Sequence, residues 1–265
     1  MNYNEITQSV ITLAKDTGLF LKDLTGKMNE GMIETKGRMD FVTEADKQCE
    51  KLLLDGLRLI LPEAGFIAEE GTYTNRGKVY NWIVDPIDGT TNFIHGVSPF
   101  SISIALMENE ELVSGVIHEP VLQECFAAWK GGPAELNGRT IHVSNRPRLS
   151  DALVATGFPY SDFSMLDAYM GSFREFMACT HGIRRLGSAA IDLAYVACGR
   201  YDAFWEYHLK PWDVAAGTLI IRQAGGSVSD FHGGDDFLFG QTYAATNGLI
   251  SNEFLDVLKK HFPKH

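Results

Sequence analysis

Cysteine and positive charge are both scarce in this chain. Its four cysteines, Cys49, Cys125, Cys179 and Cys198, are widely separated and form no C-x-x-C pair. A zinc ribbon or a disulfide framework therefore has no support, and reduced, packed thiols are expected. Lysine and arginine total 23 against 34 acidic residues, a formal charge of −11. A field of that sign repels polyanions, so nucleic acid is not an expected partner. No apolar run approaches the roughly 20 residues a membrane helix needs, and residues 1–6 lack the basic-then-apolar layout of a secretion signal. A cytoplasmic location without a membrane partner is expected. There is also no G-x-S-x-G, Walker A loop or G-x-G-x-x-G, which leaves serine hydrolase, nucleotide-loop and Rossmann dehydrogenase readings without a motif. The eight histidines, His95 among them, show no H-E-x-x-H spacing and read as surface or packing residues.

What is present suits a globular α/β chain. The 265 residues are 45% hydrophobic, enough for one large core or two lobes. Ile6, Val10, Leu13 and Leu21 recur near helical spacing before Gly26, and a second helix is predicted over 44–60, ended by Pro62. Residues 27–39 between them read as a loop. Short apolar or alternating runs at 66–68, 82–84, 101–106, 112–117 and 124–129 predict strands of one sheet, with a hairpin turn at Asn137-Gly138. Helices are then predicted over 166–178, 188–198, 214–224 and 252–260, with strands at 152–156, 203–205 and 227–229. Without repeats or a long linker, the chain reads as a single domain over 1–265 with sub-lobes of about 1–145 and 146–265.

The chemistry concentrates in Trp82-Ile83-Val84-Asp85-Pro86-Ile87-Asp88-Gly89-Thr90-Thr91-Asn92-Phe93. An apolar strand runs into two carboxylates, a glycine and paired threonines. Asp85 and Asp88 can share a cation, and a helix starting at Gly89-Thr90 would turn its free N–H groups toward a phosphate. Taken alone, the stretch reads equally as a turn with Asp88 capping the next helix. Two further acidic clusters, Glu69-Glu70 after a strand and Asp213 at a helix start, add weight to the cation reading. Crowded carboxylates raise one another's pKa unless a cation compensates them. An all-oxygen set favours Mg²⁺, with Mn²⁺ also suitable, over zinc. A multi-metal site of this kind serves hydrolytic phosphoryl transfer.

Asp85 to Phe93 resembles the signature of the inositol monophosphatase family, and Trp212-Asp213-Val214-Ala215-Ala216-Gly217 resembles its second signature. Asp40-Phe41-Val42-Thr43-Glu44-Ala45-Asp46 and Ala68-Glu69-Glu70-Gly71 are similar to two more of its motifs, in the family's order. The resemblance implies an inositol monophosphatase/fructose-1,6-bisphosphatase-like fold, an α/β layered sandwich of alternating helix and sheet layers. It implies two to three Mg²⁺ ions. Glu69, Asp85 and the Ile87 carbonyl would hold the first, Asp85, Asp88 and Asp213 the second, with a weaker third near Glu69. Thr90, oriented by Asp46, would work with Glu69 to activate water, while Asp88, Gly89, Thr90 and Asp213 face the substrate. Gly187, Ser188 and Ala189 resemble the substrate-side segment, Glu206 a carboxylate that contacts a sugar-alcohol hydroxyl, and Lys36 a lysine on a loop near the metals.

The implied activity is Mg²⁺-dependent hydrolysis of a small phosphate monoester, myo-inositol 1-phosphate foremost, with sensitivity to lithium and a homodimeric assembly. Alternatives within the superfamily are fructose-1,6-bisphosphatase, histidinol-phosphatase and 3′-phosphoadenosine 5′-phosphate phosphatase. The last commonly carries lysine where this chain has Thr91. A bisphosphate needs a second cation, for which Arg184, Arg185 or Lys210 are available, although Arg184-Arg185 reads more simply as a surface charge pair. A non-catalytic sugar-phosphate sensor is the alternative of a different class, disfavoured because every implied metal ligand is present.

Overall fold

The structure, a computed structural model, describes residues 1–24, 33–36, 40–71, 75–160 and 162–263, with the backbone alone for 33–36 and 40–44. Five layers alternate. Helices α1 (Tyr3–Leu24) and α2 (Glu44–Ile60) form the first. The second is a seven-stranded sheet whose strands lie in chain order: β3 (Gly65–Ala68), β4 (Tyr80–Asp88), β5 (Ser101–Glu108), β6 (Glu111–Glu119), β7 (Glu124–Trp129), β8 (Ala134–Leu136) and β9 (Arg139–Thr140). Only its β3–β4 pair is parallel. Helices α5 (Ala189–Ala197) and α6 (Pro211–Gln223) make the middle layer. A five-stranded sheet follows, in the order β11 (Gly182–Arg184), β10 (Leu153–Thr156), β12 (Ala203–Tyr207), β14 (Thr242–Thr246), β13 (Ser227–Ser229). Helices α4 (Leu166–Cys179) and α7 (Ser251–His261) close the stack.

Period-2 alternation along the strands builds this order, because successive side chains leave a strand on opposite faces. In the first sheet Trp82, Val84, Ile102, Ile104 and Val116 pack with α1 and α2, while Ile83, Ala105, Ile117 and Phe126 pack with α5 and α6. In the second, Val154, Ala203, Trp205 and Ala244 join Phe176 and Phe254 of the outer helices, and Ala155, Phe204 and Ala245 face the middle layer. Helices α5 and α6 thus lie between two sheets. That explains their nearly all-apolar sequence, since a helix covered on every side has no need of a polar stripe.

Several predicted elements need correction. Residues 27–39 do not form one loop, because β1 (Ile33–Lys36) pairs antiparallel with β2 (Asp40–Thr43), so Lys36 ends a strand. Its side chain, like those of Asp40 to Glu44, lies outside the described residues. Strands β11 and β14 were not anticipated. Both are short, and β14 reads Thr-Tyr-Ala-Ala-Thr with no β-branched run. All four cysteines are free, with Cys49 and Cys125 buried. No helix among the described residues is long and apolar enough to cross a membrane.

Candidate active site

A bulge sets the geometry of the site. Asp85 pairs with Ser103 and Asp88 with Ser101, so three steps along β4 oppose two along β5. On a regular strand residues three apart face opposite ways, and the extra residue brings both carboxylates to one face. It lies at Pro86-Ile87, where proline has no N–H to give the ladder and the Ile87 amide donates instead to Asp85 Oδ1 (3.0 Å). Past Asp88 the chain turns through Gly89 (φ 92°) into the short helix α3 (Thr90–Ile94). A Cβ at Gly89 would meet the Gly187 carbonyl at 3.0 Å, so both the turn and the close approach demand glycine.

Asp213 arrives from the other side. It lies in the first turn of α6, held by the Lys210 amide at 2.7 Å, while the Ser103 hydroxyl fixes the helix start by donating to the Trp212 carbonyl (3.0 Å). One carboxylate oxygen from each of Asp85, Asp88 and Asp213 falls within 4.8 Å of the others. Glu69 follows β3, its amide donating to the Val84 carbonyl (3.2 Å), so it stands beside Asp85 at the sheet's end. The next amide, of Glu70, donates to the buried Glu50 of α2 (2.8 Å). Asp46, also buried, lies in the first turn of α2 and adds its charge to the field at Glu69.

The electrostatics are those of an acid cluster awaiting a cation. Burial first, then Glu69, Asp88 and Asp213, pushes the Asp85 pKa well above the carboxylate range. Burial and Asp213 do the same to Glu69. Asp213 rises to about 7 through burial and Asp88, against the Lys210 amide. Asp88 reaches only about 6, because the Ser188 hydroxyl and the Ala190 and Ala189 amides offset its burial. Those donors lie at 2.5, 2.7 and 3.3 Å. Ser188 and Ala189, expected opposite the substrate, are therefore also what fastens Asp88 to the start of α5. Thr90 donates its hydroxyl to the Ile87 carbonyl (2.9 Å), fixing the orientation of that oxygen. The donor set is all oxygen and anionic, which fits a hard divalent cation.

Glu69, Asp85, Ile87, Asp88, Gly89, Thr90, Gly187, Ser188, Ala189, Glu206 and Asp213 all line one cavity of about 320 Å³. Asp46 is not among its walls, and the Lys36 side chain lies outside the described residues. Further residues also line it. Arg185 does, with its guanidinium 5.2 Å from the Phe158 ring centre and 5.5 Å from that of Tyr160, whose hydroxyl it also contacts. The surface-pair reading holds for Arg184, which is exposed, and fails for Arg185. Sequence reasoning passed over Asp192, which also lines the cavity, and the role of Asn92, which does not line it. Asn92 donates to the Pro99 (2.7 Å) and Leu186 (2.8 Å) carbonyls and so clamps α3 to the segment leading into α5.

The same arrangement of motifs recurs in known proteins, and the inositol monophosphatase family matches residues 2–265. The chain belongs to that family. Among relatives of this inositol monophosphatase family member, the Nus factor SuhB of Pseudomonas aeruginosa is 44% identical over 236 residues, covering 87% of each chain. The inositol-1-monophosphatase of Mesorhizobium japonicum is 40% identical over 252 residues, covering 95% of each. The crystal structure of extragenic suppressor protein suhB from Bartonella henselae superposes with a TM-score of 0.92 at 40% identity, covering 97% of this chain and 99% of that one. The chain is accordingly a phosphatase of the inositol monophosphatase family.

Proposed function

We propose that this chain is a Mg²⁺-dependent phosphomonoesterase that hydrolyses a polyol monophosphate, foremost myo-inositol 1-phosphate, to the free alcohol and phosphate. The observation that carries the reading is one cleft whose lining includes both the three clustered aspartates and the buried Glu206. Glu69, Asp85, Asp88, Asp213 and the Ile87 carbonyl would hold two to three Mg²⁺ ions, with Mn²⁺ a workable substitute. When bound, such ions supply a Lewis acid for the ester oxygens and lower the pKa of an attacking water. Glu69 would take a proton from that water, with Thr90 and Asp46 completing the relay implied by the family. The Gly89 and Thr90 amides face the phosphate, and Glu206 accepts hydrogen bonds from the alcohol.

A panel of phosphate monoesters assayed with and without Mg²⁺ tests the reading. Mg²⁺-dependent phosphate release is expected to be fastest on myo-inositol 1-phosphate and to fall in millimolar lithium. Absence of Mg²⁺-dependent release from every ester would refute it and favour a binding-only protein. Fructose 1,6-bisphosphatase is the second reading, favoured by Arg185 and Lys210 in the cleft wall, and a preference for that bisphosphate would establish it. The proposal includes a homodimer. Leu166, Met170 and Met177 form an exposed apolar stripe along α4, at 38, 52 and 60% exposure, as a face covered by a second copy would. Light scattering is expected to give twice the 29.3 kDa chain mass. A cytoplasmic location completes the proposal.

A further inference from the structure

We infer that Asp192 is a specificity-determining residue that acts with Glu206 to grip hydroxyl groups on the alcohol portion of the substrate. The inference rests on the phosphomonoesterase reading and deepens it. Helix α5 reads Ala-Ala-Ile-Asp-Leu-Ala-Tyr-Val-Ala, one carboxylate in an otherwise apolar run set between two sheets. Asp192 is 1% exposed, and its Oδ1 has no hydrogen-bond partner. The fold does not need it as a cap, because Ser188 already caps the helix by accepting from the Ile191 amide. A buried oxygen left unpartnered costs free energy, and such a cost persists at sites where a ligand makes up the missing bond.

The position says which ligand. Asp192 lines the cleft with Glu206, and Glu206 is near enough to lead the neighbouring charges acting on it. Arg185 faces both acids without a salt bridge to either among the described residues, and its Nε is likewise buried and unpartnered. Unmet donors and acceptors therefore converge on one end of the cleft. A run of neighbouring hydroxyls satisfies both kinds at once, since each hydroxyl donates and accepts. An alkyl or aryl alcohol satisfies neither. Sites built to hydrogen-bond a hydroxyl discriminate strongly against analogues that lack it. Burial, with Glu206 and Asp88, raises the Asp192 pKa well above the carboxylate range, in keeping with a neutral hydroxyl partner.

The test uses Asp192→Asn and Asp192→Leu in the full chain with Mg²⁺. The ratio of kcat/KM for myo-inositol 1-phosphate to that for p-nitrophenyl phosphate is expected to fall about 10- to 100-fold in the leucine variant and less in the asparagine variant. Both variants should melt at or above the wild-type temperature, because an unpartnered buried oxygen has been removed or neutralised. Saturation-transfer NMR with free myo-inositol should show contact in the wild type and its loss in Asp192→Leu, a readout independent of turnover. An unchanged ratio with unchanged inositol contact would overturn the inference. So would an equal loss on both esters, failure of both variants to fold, or an Asp192-dependent preference for an amino-alcohol phosphate. Wild-type protein inert on every ester would instead sink the phosphatase reading, with the NMR comparison still deciding the role of Asp192.

Discussion

The two ends of the cleft are built on opposite principles. At the metal end, the three aspartates are fixed by hydrogen bonds from the chain around them. Asp88 receives three donors from the start of α5, Asp213 the Lys210 amide and Asp85 the Ile87 amide. At the alcohol end, the Asp192 Oδ1 and the Arg185 Nε lack hydrogen-bond partners, and Glu206 lies against Gly157. The first end is preorganised for an ion of fixed geometry, and the second leaves its bonds to whatever alcohol arrives. Chemistry and specificity are thereby separable. Substitutions at the metal end should abolish turnover of all esters, and those at the other end should change which ester is preferred.

The hardest test of that separation is Asp85→Asn. It removes a central ligand and should lower Mg²⁺-dependent phosphate release on every ester by more than the roughly 100-fold typical of losing a mere supporting contact. The fold should survive, since the side chain's neighbours are other acids. Wild-type turnover in a phosphate-release assay would break the assignment. Gly157→Ala strikes the opposite end. A Cβ there would lie 2.0 Å from Glu206 Oε2, so Glu206 must move. The expected result is about a tenfold loss in kcat/KM for the inositol ester, with the Mg²⁺ dependence of the remaining turnover preserved. A matching loss of Mg²⁺ response would show that the two ends are not independent.

How much of this was legible in the sequence divides along the same line. The metal end sits in contiguous strings, so Asp85, Asp88, Glu69 and Asp213 were found as motifs. The β4 bulge that aims two of them the same way was not visible, because register is a property of two strands together. The alcohol end is assembled from single residues on β12, α5 and the loops; Glu206 was singled out for the alcohol and Arg185 only as a cation for a second phosphate. Asp192 had a signal that helical periodicity hides, a lone acid inside an apolar helix. Arg185 lies one residue past β11, so strand periodicity alone did not separate it from the exposed Arg184. The layering was legible where apolar runs alternate, and it failed at β11 and β14, whose glycine and alanines carry little strand propensity.

The joint between the two ends gives a smaller effect. Asn92→Ala leaves the Pro99 and Leu186 carbonyls without their donor and should cost about 1–3 kcal/mol in denaturant unfolding. Because Asn92 clamps α3 to the segment ahead of α5, both kcat and the preference among esters should decline together. A change confined to stability would mean that Ser188 and the α5 amides hold Asp88 in place unaided.

The last effect is a pH dependence to which the metal end contributes through Asp88 and Asp213. Asp88 and Asp213 titrate at about 6 and about 7 in the fold, against about 4 in an unfolded chain. Below about pH 4 both states are protonated and these groups leave stability unchanged. Between about 4 and 7 the folded state keeps protons that the unfolded state has released, so stability falls as pH rises through that window. Above it Asp88 and Asp213 are ionised side by side and their share of the penalty is complete. Metal-free protein should therefore melt a few degrees higher near pH 5 than near pH 8 from this source. Mg²⁺ should raise the melting temperature more at the higher pH, where the ligands are charged, and Asp85→Asn should shrink that difference. A Mg²⁺ increment independent of pH would place the ion somewhere other than among these carboxylates.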